Sequence, residues 1–307
     1  MGIHQLLLGG GGEIVVVISA TATNLNASTL FGTNYGAGVA KRLIINSGVT
    51  IGGTSAATPA LTIPTGLAGS LLIDNYGSIQ GAGGAAGTSG VGGDGGNAIL
   101  AQAACRIINN AGATIYGGGG GGGQGGTGGT GGGGTYGYVS SLGVGNAVSA
   151  IQSNCTNSCN TMFGSGAYCA SDCRYYSNTA FGPRVQCYGC ARNETAYTSG
   201  GGGGAGGAGG RGQGYNQALA TGSAGAGGAA GGTNAGAGGT GGTGGSGASW
   251  GATGTSGNTG GTGANGNNGG GAGGAAGSAG GLAGFYINGL STFVTLTNSG
   301  TVAGRTN

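Results

Sequence analysis

Few residues in this 307-residue chain could do chemistry, and most of them are cysteines and tyrosines. The single histidine, His4, and five carboxylates leave little for general acid–base catalysis. The letters Gly-Ala-Ser-Trp-Gly at 247–251 fit the nucleophile elbow G-x-S-x-G, but that motif needs a histidine later in the chain. We therefore expect no catalytic residue and a protein that is not an enzyme.

Six of the seven cysteines lie in one segment, 135–199, which is poor in aliphatic residues. An even number of cysteines in such a segment is typical of a disulfide framework, here three bridges with fifteen possible pairings, formed in an oxidising setting. Zinc is the alternative, because the last two cysteines have the C-x₂-C spacing of a zinc knuckle, although no histidine is near. We favour disulfides, with no metal ion and no other cofactor, and we expect Cys105 to be a buried free thiol. The six candidates are Cys155, Cys159, Cys169, Cys173, Cys187 and Cys190.

The same segment holds seven of the twelve tyrosines and three arginines. Tyrosine offers a large contact area at low entropic cost, and arginine offers directional hydrogen bonds, so this composition is typical of a recognition surface. About half of the tyrosines are expected to pack the segment's own small core instead. Residues 213–221 and Trp250 could add to the same surface. The predicted receptor-binding residues are Tyr168, Arg174, Tyr175, Tyr176, Arg184, Tyr188, Arg192 and Tyr197.

The elements that must position this segment are rich in glycine, which accounts for 90 of the 307 residues. Glycine recurs at every third position over 81–96, 200–212 and most of 236–269, and it fills nearly all of 117–134. Three residues is the period of the polyproline-II helix, which can pack closely where glycine faces its neighbours. A flexible linker is the alternative, but a linker needs no such register. We therefore predict a packed polyglycine-II bundle with 117–134 surrounded on all sides.

Residues 1–80 have an ordinary apolar pattern of short runs rich in β-branched residues, which predicts strands. A motif of an apolar residue, Asn or Asp, and a glycine follows several runs, at 45–49, 73–79, 108–115 and 296–302. We interpret each copy as a strand–turn–strand unit whose glycine takes a positive φ. Four ordinary hairpins are one possibility, but we favour a repeated building block, because the copies lie on either side of the glycine-rich runs.

The predicted fold is mainly β and irregular, with almost no α-helix. It comprises an N-terminal β module for attachment or oligomerisation at 1–80, polyglycine-II scaffold at 81–134 and 200–284, the inserted loop at 135–199, and a C-terminal β-hairpin at 285–307.

Charge and targeting signals exclude further classes. Eight basic and five acidic residues give a net charge of +3, spread too thinly to form a basic patch for nucleic acid. Residues 6–18 have no charged region before them and no apolar run longer than five residues, so neither a signal peptide nor a membrane span is predicted. We expect synthesis in a cytosol without the usual export route, and no insertion into a membrane.

Taken together, the glycine runs 117–134 and 236–269, the tyrosine-rich interruption and the Asn-x-Gly units beside them resemble the glycine-rich tail-fibre adhesins of tailed bacteriophages. The resemblance covers 81–284 and implies a polyglycine-II sandwich whose loops bind a receptor, a protein or a glycan, on the host surface. It also implies a virion tail protein, released by lysis, with other tail proteins as partners; homo-oligomerisation stays open. The alternatives are a secreted ice-binding protein, which thermal hysteresis would reveal, and a secreted structural glycine-rich protein.

Overall fold

The computed structural model describes residues 3–7, 12–147, 165, 167–169, 173–178 and 182–307. This part of the chain is mainly β, as predicted, with two short α-helices, α1 Ala27–Phe31 and α2 Leu290–Phe293, and a 3-10 helix, Gly32–Gly36. The strands are β1 Ile3–Leu7, β2 Ile14–Ile18, β3 Ala22–Thr23, β4 Leu25–Asn26, β5 Lys41–Ile45, β6 Thr50–Gly52, β7 Leu61–Ile63, β8 Leu71–Asn75, β9 Ser78–Gln80, β10 Ile99–Ala101, β11 Cys105–Asn109, β12 Thr114–Tyr116, β13 Gly134–Ala147, β14 Ala167–Cys169, β15 Cys173–Asn178, β16 Gly182–Thr198, β17 Ile287–Asn288, β18 Val294–Asn298 and β19 Thr301–Ala303.

Fifteen of these strands form the three sheets of a three-sided solenoid. Sheet A has the order β1-β2-β5-β8-β11-β18, sheet B the order β3-β6-β9-β12-β19, and sheet C the order β4-β7-β10-β17. Successive strands step from sheet A to B to C, so equivalent strands of successive turns lie side by side and pair in parallel. Only β1, at one edge of sheet A, pairs antiparallel within these three described sheets.

Alternating apolar residues form the solenoid core. Val16, Leu43, Ile73 and Ile107 are opposite one another in sheet A and are completely buried. Branched side chains suit a pleated surface that is buried on one side, which explains why these short runs form strands. Burying an isoleucine or leucine completely contributes about 1.5–3 kcal/mol, so stacks of this kind hold the solenoid together.

The Asn-x-Gly units form the corners of this solenoid, so they are repeated building blocks, as favoured, and not ordinary hairpins. Each strand pairs with its equivalent one turn away, where the asparagines stack: Asn75 Nδ2 donates to Asn109 Oδ1 at 2.8 Å, and Asn109 Nδ2 donates to Asn298 Oδ1 at 2.8 Å. Gly48 and Gly112 adopt positive φ at two of these corners, as expected. Stacking lets the buried amides satisfy each other, which separate hairpins would not allow.

Two predicted boundaries also fall differently. Residues 285–307 do not form a hairpin, because β18 pairs with β11 in sheet A while β19 pairs with β12 in sheet B. Residue 80 is not a boundary either, because strands β10 to β12 extend the sheets that β2 to β9 begin. Apolar strands far apart in sequence complete one core here. The glycine-rich chain leaves this solenoid twice at the same corner between sheets B and C, at 81–98 and at 117–286.

The glycine-rich segments, which the structure describes in full, pack side by side through backbone hydrogen bonds. Consecutive amides of the central run point to different neighbours: Gly121 N–H donates to Gly93 O at 2.9 Å, Gly122 N–H to Gly210 O at 2.8 Å, and Gly123 N–H to Thr255 O at 3.0 Å. The same directions recur every third residue. In all, residues 118–132 donate to 90–96, 201–213 and 252–264, and residues 117–132 accept from 84–87, 236–251 and 272–284.

Close approach of these backbones explains where glycine is required. A Cβ added to Gly274 would overlap the carbonyl group of Gly260, whereas a Cβ added to its neighbour Gly273 would have no atom within 4 Å. Neither residue has a positive φ that would itself disfavour a side chain. The position within the three-residue period, rather than backbone conformation, therefore decides which glycines can be replaced.

This adjacent pair provides a test. We expect Gly274→Ala to lower the free energy of unfolding by about 1–3 kcal/mol, because the methyl group pushes two backbones apart. Gly273→Ala is the matched control and should change it by no more than about 0.5 kcal/mol. Denaturation followed by circular dichroism measures both. Equal stability of the two variants would contradict the close packing.

Candidate functional site

The bundle has one end beside the solenoid and one end far from it. At the near end, Gly251 N–H donates to Gly117 O, at the start of the central run. At the far end, Gly236 N–H donates to Gly132 O, where the same run finishes. The strand β13 starts there and β16 ends there, so the described strands of the cysteine- and tyrosine-rich insert adjoin the far end. Two turns, 232–235 and 265–269, lie beside it.

The insert contains a ribbon of antiparallel strands. β13 pairs with β16 from Gly134 opposite Thr198 to Ala147 opposite Val185, with register shifts after Ser141. β14 and β15 also pair with β16, on its other edge. Runs such as Tyr-Gly-Tyr-Val-Ser alternate in the way that favours strands. We call β13 to β16 the distal ribbon.

Hydrogen bonds fix the base of the distal ribbon to both neighbouring turns. Thr135 N–H donates to Asn267 Oδ1 at 2.7 Å, and Asn267 Nδ2 returns a bond to Thr135 O at 2.8 Å. Asn234 Nδ2 also donates to Thr135 O, at 3.0 Å, and Thr198 Oγ1 donates to Thr233 O at 2.7 Å. The ribbon and the two turns therefore form one continuous distal surface.

Exposed aromatic residues are concentrated near this base. Tyr197 is 76% exposed, the most exposed large apolar side chain described. Tyr136 and Tyr138 are also exposed, with ring centroids 6.1 Å apart. Tyr168 is half-buried and its hydroxyl donates to Asn193 Oδ1 at 3.1 Å. Exposed rings of this kind offer a large contact area to a binding partner, because no apolar core buries them.

A polar cluster that the sequence analysis missed lies beside these rings. Tyr138 Oη donates to Glu194 Oε2 and Ser140 Oγ donates to Glu194 Oε1, each at 2.8 Å. The hydrogen bond from Tyr138, then that from Ser140, holds the pKa of Glu194 below its usual value. The bond to Glu194 and its charge raise the pKa of Tyr138. The period-2 spacing of 136, 138 and 140 could have placed them on one face.

The structure brings several predicted receptor-binding residues together on the distal ribbon. Arg192 is opposite Ser140, and Tyr176 is opposite Arg184 across β15 and β16. Arg174, Tyr175 and Tyr188 lie on the same two strands, and Tyr168 and Tyr197 on β14 and β16.

The cysteine candidates fall in two groups. Cys169 is opposite Cys190, and Cys173 is opposite Cys187, in the pairing of β14 and β15 with β16. Cys155 and Cys159 lie outside the described residues. Cys105 is buried and free, as predicted, and burial raises the pKa of its thiol to about 12.

Residues 213–221 and Trp250 do not add to the distal surface, contrary to expectation. Tyr215 N–H donates to Gly81 O at 3.0 Å, and the Trp250 ring lies 5.6 Å from that of Tyr116. Both contacts are at the near end, because these segments turn against the solenoid rather than away from it.

Two further findings concern the described residues alone. They contain no group of three or more His, Cys, Asp or Glu side chains placed to hold a metal ion. None of their helices is long and apolar enough to cross a membrane.

The Tyr138–Glu194 bond can be tested by titration. We expect Tyr138→Phe to raise the pKa of Glu194 towards its usual value near 4.3, because the ionised carboxylate loses a donor. The bond stabilises the ribbon base above that range and is lost as the pH falls through the pKa of Glu194. Carbon-detected NMR of the carboxyl group measures the shift, and Tyr136→Phe is the control. An unchanged pKa in Tyr138→Phe would contradict the hydrogen bond.

The crystal structure of the gp37–gp38 adhesin tip complex of the bacteriophage S16 long tail fibre aligns with 94% of this chain and 80% of that chain, at 17% identity and a TM-score of 0.42, too low to establish a shared fold. No curated protein matches the chain. Residues 13–182, more than half of the chain, match the family described as phage tail fibre adhesin Gp38. The chain therefore belongs to the phage tail fibre adhesin Gp38 family and is a component of the virion tail.

Proposed function

We propose that this tail adhesin binds a receptor on the host-cell surface, a protein or a glycan, through the distal ribbon and the turns 232–235 and 265–269. The observation that carries the proposal is the concentration of exposed tyrosines at the end of the bundle farthest from the solenoid. Its role is binding rather than catalysis. The protein would act outside the cell after lysis, which places the ribbon in contact with new hosts.

We also infer that the glycine segments are polyglycine-II helices. Two observations support this: hydrogen-bond directions repeat every third residue, and six segments surround the central run. A helix with three residues per turn presents its amides in three directions, which suits such a lattice. A bundle of this kind would hold the ribbon at a fixed distance from the solenoid without an apolar core.

The residues of the distal ribbon are chemically suited to anchor a partner. The outward positions of the scaffold are mainly Ala, Ser and Thr, which build no deep contact. Tyrosine and arginine dominate binding hot spots, and tyrosine has only two rotatable side-chain torsions to order. A ribbon already fixed at its base loses less entropy when it binds.

We propose three disulfides as the cross-links of the insert, formed in the oxidising medium outside the cell. The strand register supports the pairs Cys169–Cys190 and Cys173–Cys187, because directly opposed antiparallel positions come close enough for a disulfide. Cys155 and Cys159 would form the third. Zinc held by Cys187 and Cys190 is the competing arrangement.

An exposed anchor on the ribbon should affect adsorption to host cells. We expect Tyr197→Ala to weaken adsorption by about 1–3 kcal/mol, the range of interface hot spots, because a large ring leaves the contact. Leu219→Ala is the control, since this exposed side chain lies in a segment at the near end. Adsorption kinetics of phage carrying each variant provide the measurement.

A larger exchange removes the whole surface. Replacing 135–198 with a short Gly-Ser turn should leave assembled particles that no longer adsorb, and thiol treatment of unmodified phage should weaken adsorption if the cysteines are bridged. Normal adsorption after the exchange would overturn the assignment of binding to the ribbon.

We propose that the solenoid joins the adhesin to other tail proteins. The outward face of sheet A carries four half-buried apolar side chains, Val17, Ile44, Leu72 and Ile108, where a solvated face would be polar. The same face carries the ion pair of Arg42 with Asp74. An apolar face with a few fixed charges suits a protein–protein contact.

A charge placed on this face tests the attachment. We expect Ile44→Lys to prevent incorporation into virions, because a lysine would have to be buried in the contact while Asp74, the carboxylate opposite it, is already paired with Arg42. Val91→Lys, at a 66% exposed position of the bundle, is the control. Mass spectrometry of purified particles measures incorporation, and an unchanged melting temperature shows that the variant folds. Normal incorporation of folded Ile44→Lys would contradict this assignment.

A further inference from the structure

The outer face of sheet B holds a groove that the adhesin function does not use. Its volume is about 350 Å³, within the range of small-molecule sites. Thr50, Ser78 and Thr114 are opposite one another on three neighbouring strands and line its floor. Gln80, opposite Tyr116 in the next row, lines it as well.

The corner turns give this groove its depth. Gly77 has no room for a side chain, because a Cβ would overlap the carbonyl groups of Val49 and Asn46. Gly48 and Gly112 lie on either side with positive φ, which also favours glycine. Next to this row of glycines, Tyr76 is 46% exposed. The groove is therefore bounded by Tyr76 at the corner and by Tyr116 at the end of β12.

The chemistry of the lining is neutral and polar. No Asp, Glu, Lys or Arg is among the residues that line it, so nothing there selects an ion. The hydroxyl groups of Ser78 and Thr114 are 2.5 Å apart, and Gln80 Nε2 donates to Ser78 Oγ at 2.8 Å. Hydroxyl and amide groups both donate and accept, and the tyrosine rings offer apolar faces.

We propose that this groove binds a neutral saccharide. A sugar ring combines C–H faces, which pack on aromatic rings, with hydroxyl groups, which pair with side chains such as Ser78, Gln80 and Thr114. The absence of charged lining residues favours a neutral sugar over a sialylated or phosphorylated one. This site lies on the solenoid, apart from the distal ribbon, and does not depend on how the ribbon binds.

Trp250 makes the proposal directly measurable. It is the only tryptophan in the chain, and its ring lies 5.6 Å from that of Tyr116. Titrating the full chain with maltotriose, chitotriose and cellotriose should change the Trp250 emission saturably for at least one sugar, with a Kd of about 1 mM or tighter. Saturation-transfer NMR should show the same sugar bound.

Variants separate this groove from other contacts. Tyr76→Ala and Gln80→Ala should each weaken binding by about three- to tenfold, whereas Val91→Ala, at an exposed position of the bundle, should leave it unchanged. No saturable binding by any of the three sugars would overturn the proposal. Binding that is equal in Tyr76→Ala and the unmodified chain would overturn it as well, as would preference for 3′-sialyllactose.

Discussion

Backbone hydrogen bonding between glycine-rich segments is the interaction on which the rest of this adhesin depends. A buried amide or carbonyl group without a partner is costly, and glycine brings no side chain whose burial could offset that cost. The buried amides of the central run therefore meet carbonyl groups of neighbouring segments. Such pairing requires backbones that nearly touch, which explains why a Cβ at Gly274 is excluded while Gly273 is open. Composition, register and packing are three consequences of this single requirement.

The solenoid provides what the bundle lacks, an apolar core and a fixed starting point. Both glycine-rich excursions leave from the corner between sheets B and C, so the rungs of the solenoid set where neighbouring segments begin. The end of the chain then returns to the same sheets, where Asn298 completes the asparagine stack with Asn109 across 189 residues. Completion of the core in this way fixes both ends of the second excursion, residues 117–286. Only the far end of the bundle is not fixed by the solenoid, and the distal ribbon lies there.

Much of this organisation could be predicted from the sequence, for identifiable reasons. Short runs of β-branched residues indicated β structure, and the two ends of the tyrosine-rich insert coincide within a residue with the start of β13 and the end of β16. The Asn-x-Gly repeat was recognised as a repeated unit, but the sequence left hairpins open as well, because one copy cannot show whether its strands pair with each other or with the next copy. The position of Trp250 depends on which end of the bundle its turn occupies, which composition does not reveal. The Tyr138–Glu194 pair depends on a strand register between residues 56 apart.

The central claim is that the glycine runs are ordered, hydrogen-bonded elements rather than linkers. Hydrogen–deuterium exchange of the amides in 117–132 tests it most directly, because each of these N–H groups is either bonded to a neighbour or open to water. We predict protection comparable to that of the solenoid strands β8 and β11. Exchange as fast as in an unfolded peptide across this run would contradict the account.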